Sequence, residues 1–146
     1  MFYFSIIIIH AVAAVVAVGP VLFAPWLGKQ LIQKKPGSPY FLLGLRATEK
    51  FYNVGGWVLI VSGLALLYLT DWAALKQAWL WLCVALFAID SSVEKWLREP
   101  AYAKLENQGG KDAEWNIAAR HLQLGLLAQG ILVGGILLLM LVRPTV

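Results

Sequence analysis

Few side chains in this 146-residue sequence could do chemistry, and most of them sit inside or at the rim of long apolar runs. His10 follows Ile6-Ile7-Ile8-Ile9, and His121 opens the apolar stretch that ends at Val142. Titratable groups at membrane depth are rare and costly, so each histidine is a candidate ligand for haem or a metal ion, or a proton carrier. Gln129 lies near the middle of the last apolar stretch, where an amide must find a partner on another helix or on something bound. Asp90 is the most deeply placed carboxylate. Together with Lys50, Asn53, Arg120 and His121 it composes a candidate polar cluster, with Arg46, Glu49, Glu94 and Lys95 brought to similar depth by antiparallel neighbours, in which Asp90 is expected to pair with Arg120, His121 or Lys50.

The elements that must position these groups follow from composition. Hydrophobic residues make up 60% of the chain and charged residues only 14%, with a mean hydropathy of +0.72. That balance excludes an ordinary soluble domain. A spanning helix needs about 20 mostly apolar residues, and four stretches approach this: 5–24, 54–70, 72–90 and 122–142. The expected fold is therefore all-α, a single polytopic domain forming an antiparallel four-helix transmembrane bundle. Residues 25–53 and 91–121 are the links. Ser38 and Pro39 form an N-cap and first-turn pair, so the second helix can begin at Pro39 and run on into the membrane. A short surface helix is expected from near Pro100 to Gly109-Gly110, with Asp112 capping the helix that follows.

Lys29, Lys34, Lys35, Arg46 and Lys50 fall in the first link, and Lys95, Arg98, Lys104, Lys111 and Arg120 in the second. The opposite side receives only Lys76 and Arg143. The positive-inside rule then places both links in the cytoplasm and both termini outside, in a bacterial-type inner membrane. The net charge of +4 belongs to a rim facing anionic lipid headgroups. It does not point to nucleic acid, because no basic helix with interleaved aromatics accompanies it. Trp26, Trp96 and Trp115 near one boundary and Trp72 near the other suit interfacial anchors.

Cys83 is the one cysteine, which excludes an intramolecular disulfide and a thiolate metal cluster. His10 shares a helix face with Ala13, Ala14, Ala17 and Val21, a smooth surface suited to a closely packed helix or to a flat ligand such as a porphyrin. On that topology His10 and His121 lie near opposite faces of a core about 30 Å thick, so they cannot ligate one iron in a monomer. Glycines at 125, 130, 134 and 135 supply small faces on the last helix, which invite close packing and a homo-oligomer.

The opening Ile6-Ile7-Ile8-Ile9-His10 with Gly19 nine residues on, and the ending Leu138-Leu139-Met140-Leu141-Val142-Arg143-Pro144, resemble an uncharacterised family of small four-helix bacterial membrane proteins. At greater distance the chain is similar to CopD-type copper-resistance and HemJ-type protoporphyrinogen oxidase membrane proteins, both with an early histidine in the first span. The resemblance implies that His10 ligates haem, and Asp90 stands roughly where the HemJ-like pattern carries a histidine. The expectation is a membrane protein that binds or handles a small ligand, haem or a metal ion, or acts as an accessory subunit. The alternative is a haem-dependent membrane oxidoreductase of the HemJ type.

Overall fold

The structure, a computed structural model, describes residues 2–33, 39–107 and 113–142. The expected caps at Ser38 and Asp112, the Lys34–Pro39 turn apart from Pro39 itself, Gly109-Gly110 and the Arg143-Pro144 tail lie outside the described residues.

Helix α1 runs Phe2–Gln33 and α2 runs Pro39–Leu69. A 3-10 turn at Ala73–Lys76 leads to α3, Ala78–Val93. The path continues through a π-helical turn, Glu94–Arg98, into α4, Glu99–Asn107. Helix α5 runs Ala113–Val142. The protein is an all-α antiparallel bundle, and α1, α2 and α5 are long and apolar enough to cross a membrane. It is a membrane protein on that ground. The second helix begins at Pro39 and continues unbroken into the apolar region, as expected. The third does not begin at Trp72: residues 70–77 form the turn, and the regular part of α3 is 16 residues, about 24 Å at 1.5 Å per residue. The short helix expected in the second link is α4, Glu99–Asn107, although the π turn makes it continuous with α3.

Side-chain pairs fix the neighbours. Gly55 meets Ala17, Gly44 meets Leu27 and Gly63 meets His10, so α1 and α2 run antiparallel in close contact. Gly28 against Leu126 and Gly130 against Pro25 set α1 on α5, and Gly135 against Leu86 sets α3 on α5. The order across the bundle is α2, α1, α5, α3. Helices α2 and α3, at the two ends of this row, do not pack backbone to backbone.

Two kinds of core hold the bundle. At the end where α4 lies, Ala101, Tyr102 and Leu105 give α4 one apolar face, which packs with Leu31, Leu45, Trp115, Ala119 and Leu122. Trp115 belongs to this cluster, 6% exposed, and is therefore a core residue and not the interfacial anchor expected; Trp26, Trp72 and Trp96 are exposed. Deeper in, Ala17, Val18, Val21, Tyr52 and Val133 form a second, smaller cluster. Apolar residues gain little by leaving lipid, so small side chains and close backbone approach do the work there.

Polar groups inside the apolar helices are mostly absorbed by their own backbone. Ser62 donates to the Val58 carbonyl at 2.6 Å, Thr70 to Leu66 at 2.9 Å and Ser92 to Ala88 at 2.9 Å. Helix α2 ends in a Schellman-type closure, with Trp72 N–H on the Leu67 carbonyl at 2.9 Å and Asp71 N–H on Tyr68 at 3.3 Å. Asp71 and Trp72 both adopt positive φ, 48° and 60°, at positions where glycine is the usual residue.

Candidate functional site

Asp90, Glu94 and Arg98 are spaced four apart on one continuous helical path. The Glu99 N–H bonds back five residues to the Glu94 carbonyl, and this wider turn lessens the angular drift between residues four apart, keeping the three on one face. π turns of this kind concentrate at functional sites. Arg98 is wholly buried, 0% exposed. Its stem passes over α5 at Gly125, where a Cβ would stand 2.6 Å from Arg98 Cγ; only glycine leaves that passage.

Three carboxylates surround the buried guanidinium. Arg98 Nη2 lies 3.5 Å from Glu94 Oε2 and 3.7 Å from Asp90 Oδ1, and Nη1 lies 3.9 Å from Glu49 Oε1. These separations exceed the 2.7–2.9 Å of a charge-assisted hydrogen bond. Arg98 Nε, Nη1 and Nη2, Asp90 Oδ1 and Glu49 Oε1 are buried and make no hydrogen bond within the described protein. Buried orphans of this number in one place call for a ligand, a proton or water. Tyr52, 7% exposed, donates its hydroxyl to Asp90 Oδ2 at 2.6 Å, a close side-chain bond from α2 to α3.

A second layer lies on the α4 side. Arg46 donates from Nε to Glu106 at 2.8 Å, approaches Glu49 at 3.5 Å and stacks 4.2 Å from the centre of the Tyr102 ring. The Arg46 bond holds the Glu106 carboxyl below its ordinary range, so its contribution is present at neutral pH and fades as acid protonates it. This pair is solvent-exposed and contributes little. Burial, and next the Glu49 charge, push the Tyr102 phenol above its ordinary range. Its hydroxyl is buried and unpaired.

The cluster opens sideways. Tyr52, Asn53, Gly56, Trp57 and Ile60 of α2 and Phe87, Ser91 and Glu94 line a cleft of about 270 Å³ between α2 and α3. Asn53 thus joins the site from the cleft side. The other expected members do not. Lys50, Arg120 and His121 are exposed, and Asp90 pairs with Arg98 and Tyr52 in place of any of them. The reason is register: continuing α3 through the π turn carries Arg98 to Asp90, while the side chains of Arg120 and His121 project away on α5.

Gln129 is 2% exposed, and its Nε2 is unpaired; it lies one helical turn beyond Gly125 on α5. His10 stands apart, towards the far end of α1. Its Nδ1 is 2.8 Å from Ser62 Oγ, a hydroxyl that also lies 2.6 Å from the Val58 carbonyl. The smooth face below it does not fit a porphyrin, because Ala13, Ala17 and Val21 are buried and Gly55 of α2 closes on Ala17. Among the described residues no three His, Cys, Asp or Glu side chains group as metal ligands.

Glu49 and Glu94 were expected near Asp90 by depth alone, whereas Tyr52, Arg98 and Tyr102 escaped the sequence reading as site residues. The spacing Asp90-x3-Glu94-x3-Arg98 was the available signal, hidden once the third span was ended at Asp90. Comparison of the chain with protein-family models, curated proteins and solved structures finds no match.

Proposed function

We propose that this membrane protein binds a small ligand, without catalysing a reaction on it, at the polar cluster of Glu49, Tyr52, Asp90, Glu94 and Arg98, reached through the α2–α3 cleft. The observation that carries the reading is Arg98: a fully buried guanidinium, ringed by carboxylates, with none of its N–H groups hydrogen-bonded in the described protein. An isolated structural ion pair at this depth would be drawn to hydrogen-bonding distance, because the desolvation cost is recovered only with good geometry. A site that exchanges a ligand leaves such groups without protein partners. The lateral cleft supplies the route, since α2 and α3 do not close on each other.

The test is native mass spectrometry of protein purified in mild detergent. Wild type is expected to carry a stoichiometric non-covalent adduct that the double variant Glu49→Gln, Asp90→Asn loses and His10→Ala keeps. An adduct lost in His10→Ala but retained in the double variant, or a Soret absorption that depends on His10, would overturn the assignment and return the ligand to α1.

The same reading places the cluster at the cytoplasmic side, supported by the Lys and Arg distribution, with both termini outside. A cysteine introduced at Thr145 in a Cys83→Ala background should react with an impermeant reagent on intact cells and one at Ser38 should not. The reverse pattern would invert the topology.

A further inference from the structure

The lining of the α2–α3 cleft is graded along its length. Asn53, Ser91 and Glu94 lie at one end, and Trp57, Ile60 and Phe87 extend it towards the middle of the apolar region. From Asn53 to Ile60 the helix rises about 10 Å at 1.5 Å per residue. That is the polarity profile of an amphiphile standing in a bilayer, headgroup at the charged end and chain inward. The cleft's 270 Å³ suffices for a headgroup and the start of a chain. Because α2 and α3 stay apart, the remaining chain can pass into surrounding lipid.

The charge of the headgroup follows from the walls. Glu49, Asp90 and Glu94 face one guanidinium, that of Arg98, and Arg46 is shared between Glu49 and Glu106, so the carboxylates still outnumber the cations. Asp90 is 1% exposed, reaches the cleft through Tyr52, and keeps Oδ1 unpaired. Excess negative charge in a poorly solvated site favours a cation and repels a carboxylate or phosphate. The groups presented also match: the Glu94 carboxylate, the Asn53 carbonyl and the Ser91 hydroxyl all accept hydrogen bonds, and an ammonium offers three donors and no acceptor. We infer that the cleft takes an amphiphile with a protonated primary amine as its headgroup, its chain lying against Trp57, Ile60 and Phe87. This rests on the ligand-binding reading above and adds the class of ligand.

The experiment uses the full chain in phosphatidylcholine nanodiscs, titrated with dodecylamine, dodecanol and dodecanoate, with one-to-one binding read by native mass spectrometry. The amine is expected to bind tenfold or more tighter than the alcohol, the scale of one charge-assisted hydrogen bond, and the acid most weakly. Glu94→Gln should remove most of the amine preference by weakening the amine far more than the alcohol, and Asn53→Leu, at an exposed position, should weaken the amine selectively. Equal binding of amine and alcohol, tighter binding of the acid, or a preference that survives Glu94→Gln would each overturn the assignment. If one of these results accompanies loss of the co-purified adduct in the cluster double variant, only the headgroup class falls. If the adduct also survives that variant, the ligand site itself falls.

Discussion

Arg98→Met is expected to destabilise the bundle by about 3–5 kcal/mol, the cost of leaving buried charges without their partner. Methionine keeps the length and the apolar stem that lies over Gly125, so the loss isolates the guanidinium. Three carboxylates then share a site with no cation at its centre. Arg98→Lys should recover only part of the loss, because a single ammonium cannot face three carboxylates arranged around a planar fork. The decisive variant is Arg98→Met combined with Asp90→Asn and Glu94→Gln. Neutralising both sides of a buried ion cluster is often close to neutral for stability, so this triple variant should return most of the thermal midpoint in detergent. Failure of the triple variant to recover would mean that Arg98 stabilises by packing and not by charge.

The second large effect is expected at Gly55, on the α1–α2 contact. A Cβ there would stand 2.6 Å from Ala17 Cβ and 3.1 Å from Ala17 Cα, and Ala17 is wholly buried. No side-chain rotation relieves a clash with backbone, so α1 and α2 must move apart. Overpacking of this kind costs about 1–3 kcal/mol for Gly55→Ala, and more for Gly55→Leu. The same separation would stretch the His10–Ser62 bond two turns along the interface. Ala17→Gly in the Gly55→Ala background removes the opposing methyl and should restore part of the stability, giving a coupling energy between the two sites in a double-mutant cycle. Strict additivity of the two thermal shifts would contradict the close approach.

How far the sequence could be read differs between fold and site for one physical reason. Hydropathy is a property of composition in a window, and it survives small errors in where a helix ends. The all-α bundle follows from it, while the start of the second helix at Pro39 is read from proline's place in a first helical turn. A buried cluster depends instead on angular register. Ending the third span at Asp90 put Glu94 and Arg98 into a polar link, and with the helix cut there the four-residue spacing carried no information. The π turn is the feature that reunites them, and no propensity signals it: Glu94, Lys95, Trp96, Leu97 and Arg98 are ordinary helix formers. Trp115 misled for a related reason. Its position at the boundary suits an anchor, but α4 folds back over α5 and covers it, a contact between residues that only tertiary structure brings together. His10 shows the opposite case, where the small residues beneath it could be seen but not what fills them. The answer was Gly55 of the neighbouring helix.

Ligand entry through the α2–α3 cleft, lined by Tyr52 and Glu94 beside Arg98, is probed most cleanly at Gly56. A side chain at Gly56 meets no atom within 4 Å at its Cβ, yet the residue lines the cleft. Gly56→Leu should therefore fold with an unchanged thermal midpoint while filling the space a ligand would occupy. Gly134→Leu, equally unobstructed at its Cβ on α5, is the matched control. The expected result, by native mass spectrometry, is that Gly56→Leu loses the co-purified adduct and Gly134→Leu retains it. A fully occupied Gly56→Leu protein would contradict the account, for the ligand would then lie outside the cleft.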